Sequence, residues 1–151
     1  MKEKRGSLIG SGKKISIVAS RFNELITKNL VDSCLQALFQ QGVEEKDVIC
    51  VWVPGALEIP LAAKKMAKKK PHAIICLGAI IRGDTPHFEY VASQTSRSLV
   101  QLGLEEELPV IYGIITADSL EQALERAGAK YNRGRESALQ ALEMANLVKG
   151  L

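Results

Sequence analysis

The length, composition and charge of the chain indicate one small globular domain and argue against several classes of protein. The 151 residues are 46% hydrophobic and 25% charged, with a formal net charge of +3 at pH 7. A weak charge of mixed sign does not indicate nucleic-acid binding. No apolar stretch is long enough to span a membrane, and we expect no secretory signal. We therefore expect a cytoplasmic protein without nucleic-acid or membrane partners.

The cysteines do not predict a metal site. Cys34, Cys50 and Cys76 stand far apart within apolar segments. Their odd number and their surroundings predict small buried hydrophobic side chains in a reducing compartment. No spacing of Cys, His or acidic residues matches a metal-binding motif.

Four apolar segments alternate with segments of helical periodicity. Continuous apolar runs are typical of parallel strands that are covered on both faces. Residues 1–12 are polar and rich in glycine, which predicts a flexible segment ahead of a single domain at 13–151. The predicted strands are 15–20, 48–53, 73–80 and 110–115.

The segments after the strands have the spacing of amphipathic helices. Apolar residues recur every four positions from Ile26 to Leu38, and Gly42 predicts the end of that helix. A second helix is expected from near Glu58 into the lysine-rich segment 64–70, where the lysines either complement the helix dipole or form a binding patch. The other predicted helices are 85–103, one from 120 that is capped by Asp118 or Ser119, and 135–147.

This alternation predicts an α/β fold with right-handed crossover connections. The fold class is a flavodoxin-like three-layer sandwich with a four-stranded parallel sheet and helices on both faces. Ligands of such sheets bind at the carboxyl ends of the strands. The loops after the four predicted strands are therefore the candidates for a functional site.

The loop after the third strand predicts an anion site beside a histidine. Gly83 allows a turn, and Pro86 suits the first turn of a helix. Either Asp84 or Thr85 is expected to cap that helix. Its free N–H groups would face the carboxyl end of the strand, where they can bind phosphate. Because His87 lies in the same turn, the segment suggests chemistry on a phosphorylated small molecule.

Two further loops carry residues with more than one interpretation. Phe22 follows the first strand and either stacks on a flat heterocycle or packs as a hydrophobic helix staple or a core residue. Pro54 and Gly55 follow the second strand, where backbone groups are free to approach a ligand. Glu58 either caps the next helix or hydrogen-bonds a polyol.

The end of the chain adds an aromatic residue and an arginine. Tyr112 in the fourth strand can flank the same cleft. Arg126, near the end of the following helix, is either a solvated side chain or a bidentate phosphate ligand.

Taken in order, segments 21–23, 53–60, 78–90 and 120–128 resemble the lumazine synthase family. The similarity runs from about Lys13 to Leu147. It implies a transferase of riboflavin biosynthesis that uses no metal or organic cofactor. Its two small-molecule substrates would be 5-amino-6-ribitylamino-2,4(1H,3H)-pyrimidinedione and 3,4-dihydroxy-2-butanone 4-phosphate. The products would be 6,7-dimethyl-8-ribityllumazine, phosphate and water.

The resemblance also implies a role for each candidate residue. His87 would transfer protons as the catalytic residue. The ribitylaminopyrimidine would be bound by Phe22, Ala56, Leu57, Glu58, Ala79, Ile80, Ile81 and Tyr112. The butanone phosphate would be bound by Asp84, Thr85, Arg126 and Arg133.

The family's active site lies between adjacent subunits of a pentamer, so the resemblance implies a homo-oligomer. Tyr112 and Arg126 would belong to one subunit, and Phe22 and His87 would face them from its neighbour. Family members form pentamers, decamers or sixty-subunit shells, and riboflavin synthase is a further candidate partner. Segment 128–134 is one residue shorter than the family's run and has an arginine, Arg133, in place of a lysine. This difference leaves the higher assembly open.

Two alternatives share the fold class. A flavin-binding module would need a loop rich in Ser, Thr and Gly after the first strand, and segment 20–24 lacks it. An inactive cage-forming relative would not need to keep Phe22, His87 and Arg126 together. Both alternatives are therefore less well supported by the residues than the enzyme.

Overall fold

The computed structural model describes all 151 residues, and its centre is a single parallel sheet. The strands have the order β2-β1-β3-β4, with every neighbouring pair parallel. This arrangement confirms the predicted flavodoxin-like sandwich and all four strands, although β3 and β4 extend slightly further than expected. The strands are β1 (Ile15–Ser20), β2 (Val48–Val53), β3 (Ala73–Ile81) and β4 (Val110–Ala117).

Five α-helices cover the two faces of the sheet. Single turns of 3₁₀ helix at Glu45–Asp47 and Ala56–Glu58 lie in the connections on either side of β2. None of the helices has the length and apolarity needed to cross a bilayer. The helices are α1 (Glu24–Gln40), α2 (Ile59–Ala67), α3 (His87–Glu106), α4 (Leu120–Arg126) and α5 (Arg133–Lys149).

The sheet separates two hydrophobic cores. Successive side chains of a strand point to opposite faces. In β3, Ile75 and Leu77 pack in the core with α1 and α5, whereas Ile74 and Ile80 pack in the core with α2 and α3. Each fully buried side chain of this size stabilises the fold by about 1.5–3 kcal/mol. The two-sided burial explains why the sequence of β3 is apolar without alternation.

The edge position of β2 overturns one prediction about the cysteines. Cys34 and Cys76 are buried, as predicted, and this burial raises the pKa of both thiols. Cys50 is exposed, as is its neighbour Ile49, because β2 pairs with β1 on one side alone. The apolar run in β2 resembles that of a central strand, so the sequence did not distinguish the two positions.

The ends of α1 and α4 follow the predicted signals. Gly42 adopts a φ of 97°, and its N–H donates to the carbonyl of Phe39. The N–H of Val43 donates to the carbonyl of Leu38, which completes a Schellman motif. Of the two predicted caps of α4, the structure selects Ser119, whose hydroxyl accepts the N–H of Gln122 at 3.2 Å.

The predicted cap of α3 was wrong. Neither Asp84 nor Thr85 caps this helix; Pro86 occupies the N-cap position, with no side-chain hydrogen bond there. The helix also continues past Gly103 to Glu106, and a Cβ at Gly103 would lie 3.1 Å from the carbonyl oxygen of Leu108.

Helix α5 begins two residues earlier than predicted. The side chain of Asn132 caps it by accepting the N–H of Arg135 at 3.1 Å. A Cβ at Gly134 would overlap the carbonyl of Leu30, so the glycine allows α5 to lie against the backbone of α1.

Two surface segments lie outside the hydrophobic cores. Residues 1–12 contain no helix or strand, and Asn146 of α5 donates to the carbonyls of Ser7 and Ile9 at 2.9 and 3.0 Å. The boundary at residue 13 stays a prediction. The lysines of segment 64–70 are exposed at the end of α2, where they complement the helix dipole.

His72 joins the amino ends of β1 and β3. Its N–H donates to the carbonyl of Lys14 at 2.8 Å, and its Nδ1 accepts the N–H of Lys14 at 2.9 Å. Partial burial lowers the pKa of His72, and the positive charges of Lys13, Lys14 and Lys149 lower it further. The neutral imidazole is therefore the form that the fold prefers.

We predict that acid destabilises the fold in part through His72. Because the pKa of His72 is lower in the folded than in the unfolded chain, stability is lost as pH falls below about 6.5, the ordinary value, through the folded pKa. His72→Gln removes this ionisation and should flatten the loss of unfolding free energy between about pH 7 and about pH 5 in urea titrations. An equally steep loss in the variant and the wild type would contradict this role.

Candidate active site

A cavity of about 390 Å³ opens where β1, β2 and β3 end. Its wall is mainly apolar, with polar groups at the entrance of α3 and at the start of α2. The lining includes four residues that the prediction of the site left out: Gly55, Gly83, Phe88 and Val91. The predicted site residues that the structure brings together here are Phe22, Ala56, Leu57, Glu58, Ala79, Ile80, Ile81, Thr85 and His87.

Phe22 is held at the rim by its backbone. Its N–H donates to the carbonyl of Pro54 at 3.1 Å. The next residue, Asn23, has a left-handed backbone with a φ of 59°, which asparagine tolerates well, and its Nδ2 donates to the carbonyl of Ala79 at 3.0 Å. Phe22 is 72% exposed, so the interpretation as a core residue is wrong for this chain. An exposed ring on a fixed backbone is suited to stacking.

Glu58 presents an unpaired carboxylate to the cavity. The 3₁₀ turn Ala56–Glu58 follows the extended Gly55 and leads into α2. Glu58 occupies the N-cap position of α2, as the capping interpretation requires, but its side chain makes no capping hydrogen bond. Ala56 is buried, whereas Leu57 and Glu58 are exposed to the cavity. The carboxylate is therefore available to accept hydrogen bonds from a ligand.

The end of β3 and the first turns of α3 form the apolar part of the wall. Ala79, Ile80, Phe88 and Val91 are all at most 9% exposed. Phe88 and Val91 stand one and four positions after His87. Residues three and four apart share a face of a helix. This spacing was the signal in the sequence that could have placed Val91 beside His87.

Segment 83–86, the anion loop, has backbone N–H groups without hydrogen-bond acceptors. The N–H groups of Gly83, Asp84 and Thr85 donate to no backbone carbonyl. The first backbone hydrogen bond of α3 runs from Glu89 to the carbonyl of Pro86 at 3.1 Å. These free donors lie at the positive end of the dipole of a 20-residue helix. The geometry is typical of a site for phosphate or another anion, although the cap predicted from the sequence is absent.

Arg82, which the sequence analysis did not identify, flanks the anion loop. Its Nε donates to Oδ1 of Asp118 at 2.8 Å, and its guanidinium lies 3.4 Å from Oε1 of Glu89. The hydrogen bond with Asp118 raises the pKa of Arg82 most, and the hydrogen bond with Glu89 raises it further. The guanidinium carbon also lies 4.7 Å from the centre of the Phe88 ring. Asp118 is 36 positions away in the sequence, so no local pattern indicated this contact.

Four predicted site residues lie outside the cavity of the single chain. Asp84 belongs to the anion loop without lining the cavity. Tyr112 is partly buried in β4, and this burial raises the pKa of its phenol. Arg126 donates to the carbonyl of Thr116 at 2.8 Å. Arg133 donates to the carbonyl of Tyr112 at 2.6 Å. One chain therefore provides the pocket, and the two arginines lie on the β4 side of the sheet.

The titratable residues around the cavity do not form a metal site. No group of three or more His, Cys, Asp and Glu side chains is close enough to hold a metal ion. The polar groups that do face the cavity are a carboxylate at Glu58, an imidazole at His87 and the donors of the anion loop. This arrangement is suited to binding a polar ring compound and a phosphate next to a group that transfers protons.

A comparison with known protein families agrees with the geometry. Residues 12–149 match the family described as 6,7-dimethyl-8-ribityllumazine synthase. The matched segment contains the whole sheet, all five helices and every residue of the cavity. The chain belongs to the 6,7-dimethyl-8-ribityllumazine synthase family.

Proposed function

We propose that this protein condenses 5-amino-6-ribitylamino-2,4(1H,3H)-pyrimidinedione with 3,4-dihydroxy-2-butanone 4-phosphate to form 6,7-dimethyl-8-ribityllumazine. Its family supports a lumazine synthase function in riboflavin biosynthesis. The observation that carries the choice of substrates is one cavity in which an exposed aromatic ring and a free carboxylate face unused N–H donors and a histidine.

The ribitylaminopyrimidine would occupy the part of the cavity next to β1 and β2. Phe22 offers an exposed ring for stacking on the pyrimidine. Glu58 accepts a hydrogen bond from a ribityl hydroxyl, and the backbone of Ala56 and Leu57 offers further polar groups. The ends of β3, at Ala79, Ile80 and Ile81, form the opposite wall.

The butanone phosphate would occupy the anion loop. The N–H groups of Asp84 and Thr85 donate to the phosphate oxygens, and the dipole of α3 favours the negative charge. Arg126, from a neighbouring subunit, adds a bidentate contact, and Arg133 adds positive charge near it. Both substrates then meet next to His87.

The reaction needs close positioning and several proton transfers. The aromatic amine attacks the ketone and forms an imine with loss of water. Phosphate then leaves, and the second amine closes the ring with loss of water. Holding both substrates in one cavity supplies much of the rate enhancement. His87 moves the protons at the imine and elimination steps. No step requires a metal or an organic cofactor.

The proposal includes an oligomer in the cytoplasm. Tyr112 and Arg126 lie outside the cavity of their own chain, which supports a site completed by an adjacent subunit. Exposed apolar side chains such as Leu57, Leu61 and Leu104 are suited to such contacts. Riboflavin synthase is the candidate protein partner, since it would consume the product.

The direct test is to mix the purified protein with both substrates and to follow the fluorescence of the lumazine. Product formation that depends on both substrates is the expected result. Its absence from correctly assembled protein would favour the inactive cage-forming relative. Flavin absorption by the purified protein, without product formation, would favour the flavin-binding alternative.

We predict that His87→Ala slows turnover without abolishing it. Loss of the proton-transfer group should lower kcat by roughly a hundredfold, and substrate positioning should preserve the remaining rate. His72→Ala is the matched control, because this second histidine lies at the opposite end of the sheet and should keep kcat near the wild-type value. A wild-type kcat in His87→Ala would rule out the assigned role.

We predict that Arg126→Ala mainly weakens binding of the phosphorylated substrate. Removing a charge-assisted contact of about 1.4–3 kcal/mol should raise its KM by about tenfold to a hundredfold. The KM for the ribitylaminopyrimidine is the internal control and should change little. The assignment fails if the two KM values respond equally.

We predict that the native mass is a multiple of the pentamer mass. Five chains of 16.4 kDa give about 82 kDa, and sixty give about 984 kDa. Light scattering coupled to size-exclusion chromatography distinguishes these states. The larger mass would mean that the short segment 128–134 still permits contacts between pentamers. A monomer with full activity would contradict a site shared between subunits.

A further inference from the structure

Arg82 connects three elements that border the anion loop. Its N–H donates to the carbonyl of Ala117 at 2.9 Å, which continues the pairing of β3 with β4. Its side chain reaches Asp118 in the connection from β4 to α4. It also contacts Phe88 and Glu89 in the first turn of α3. Arg82 therefore lies immediately before the anion loop and contacts the first turn of the helix that follows the loop.

The anion loop has few other restraints. Gly83, Asp84 and Thr85 make no backbone hydrogen bonds through their N–H groups, and a Cβ at Gly83 would meet no atom within 4 Å. The loop side chains of Asp84 and Thr85 are exposed. A phosphate needs several N–H donors at fixed positions, and a loose loop would have to order itself on binding. The contacts of Arg82 supply the missing restraint.

Arg82 itself is poorly suited to bind the phosphate. Its guanidinium is already paired with two carboxylates, Asp118 and Glu89, and it lies over the ring of Phe88. Each exposed ion pair alone contributes little to stability. Their value lies in geometry, because a planar guanidinium fixes the directions of both partners at once.

We propose that Arg82 is a positioning residue that holds the anion loop ready for the phosphorylated substrate. It acts by tying the first turn of α3 to the connection after β4, which keeps the N–H donors of the loop in place. The inference rests on the proposed function for its kinetic test. A competing explanation is that Arg82 only balances the negative charges of Asp118 and Glu89 near the phosphate.

Two variants with opposite changes of charge separate these explanations. Arg82→Met keeps an apolar stem over Phe88 and removes the polar contacts. Asp118→Asn weakens the same link from the other side and removes a negative charge. Positioning predicts that both variants raise the KM for the phosphorylated substrate, by about tenfold for Arg82→Met, which corresponds to about 1.4 kcal/mol. Charge balance predicts that Asp118→Asn lowers this KM.

The remaining variants provide rescue and control. Arg82→Lys retains the positive charge and one possible ion pair, so it should recover part of the loss. Lys46→Met makes the same change of charge at an exposed ion pair with Glu44 at 2.9 Å, before β2 at the opposite end of the sheet. It should keep the wild-type KM. In all variants kcat should stay within about twofold, since His87 is retained, and the native mass should equal that of the wild type.

Binding of inorganic phosphate provides a readout that does not depend on catalysis. Phosphate should raise the thermal midpoint of the wild type and of Lys46→Met, and should raise that of Arg82→Met less. A wild type without product formation but with this difference would refute the proposed function and support the role of Arg82. An unchanged KM and an unchanged phosphate shift in Arg82→Met, or a lowered KM in Asp118→Asn, would overturn the role of Arg82.

Discussion

The parallel pairing of β1 with β2 and β3 is the constraint on which the site depends. All three strands run in the same direction, so their loops leave the same end of the sheet; β1 and β2 end level at the pair Ser20 and Val53, and β3 continues past them to Ile81. Their loops therefore meet, and hydrogen bonds from the backbone of Phe22 and from the side chain of Asn23 join them. If one of these strands were antiparallel, the loop after it would lie at the opposite end of the sheet, and the cavity would lose a wall.

The cavity combines a mainly apolar wall with a few polar groups, as is usual for small-molecule sites. The polar groups are the carboxylate of Glu58 and the unused N–H donors of the anion loop. His87 also lines the cavity. The polar groups belong to loops and helix ends, and the apolar wall belongs to β3 and α3. The sheet and its helices therefore hold the loops that carry the polar groups.

The single chain provides only part of the proposed site. Arg126 and Arg133 bond to carbonyls of β4 and stay on that side of the sheet, away from the cavity. A neighbouring subunit that presents its own β4 side to the cavity would supply both arginines. Such an arrangement couples catalysis to assembly, because the phosphate would gain its strongest cationic partners only in the oligomer.

The sequence alone determined the order of strands and helices and the location of the main loops. Continuous apolar runs and Gly42 are local signals with local causes, and the structure agrees with both, whereas the cap of α3 predicted from segment 83–87 is absent. Tertiary structure decided what depends on distant residues. Cys50 is exposed because β2 lies at an edge, and Arg82 finds Asp118 because β3 pairs with β4. Neither outcome could be predicted from the local sequence, because both depend on which strands become neighbours in the sheet.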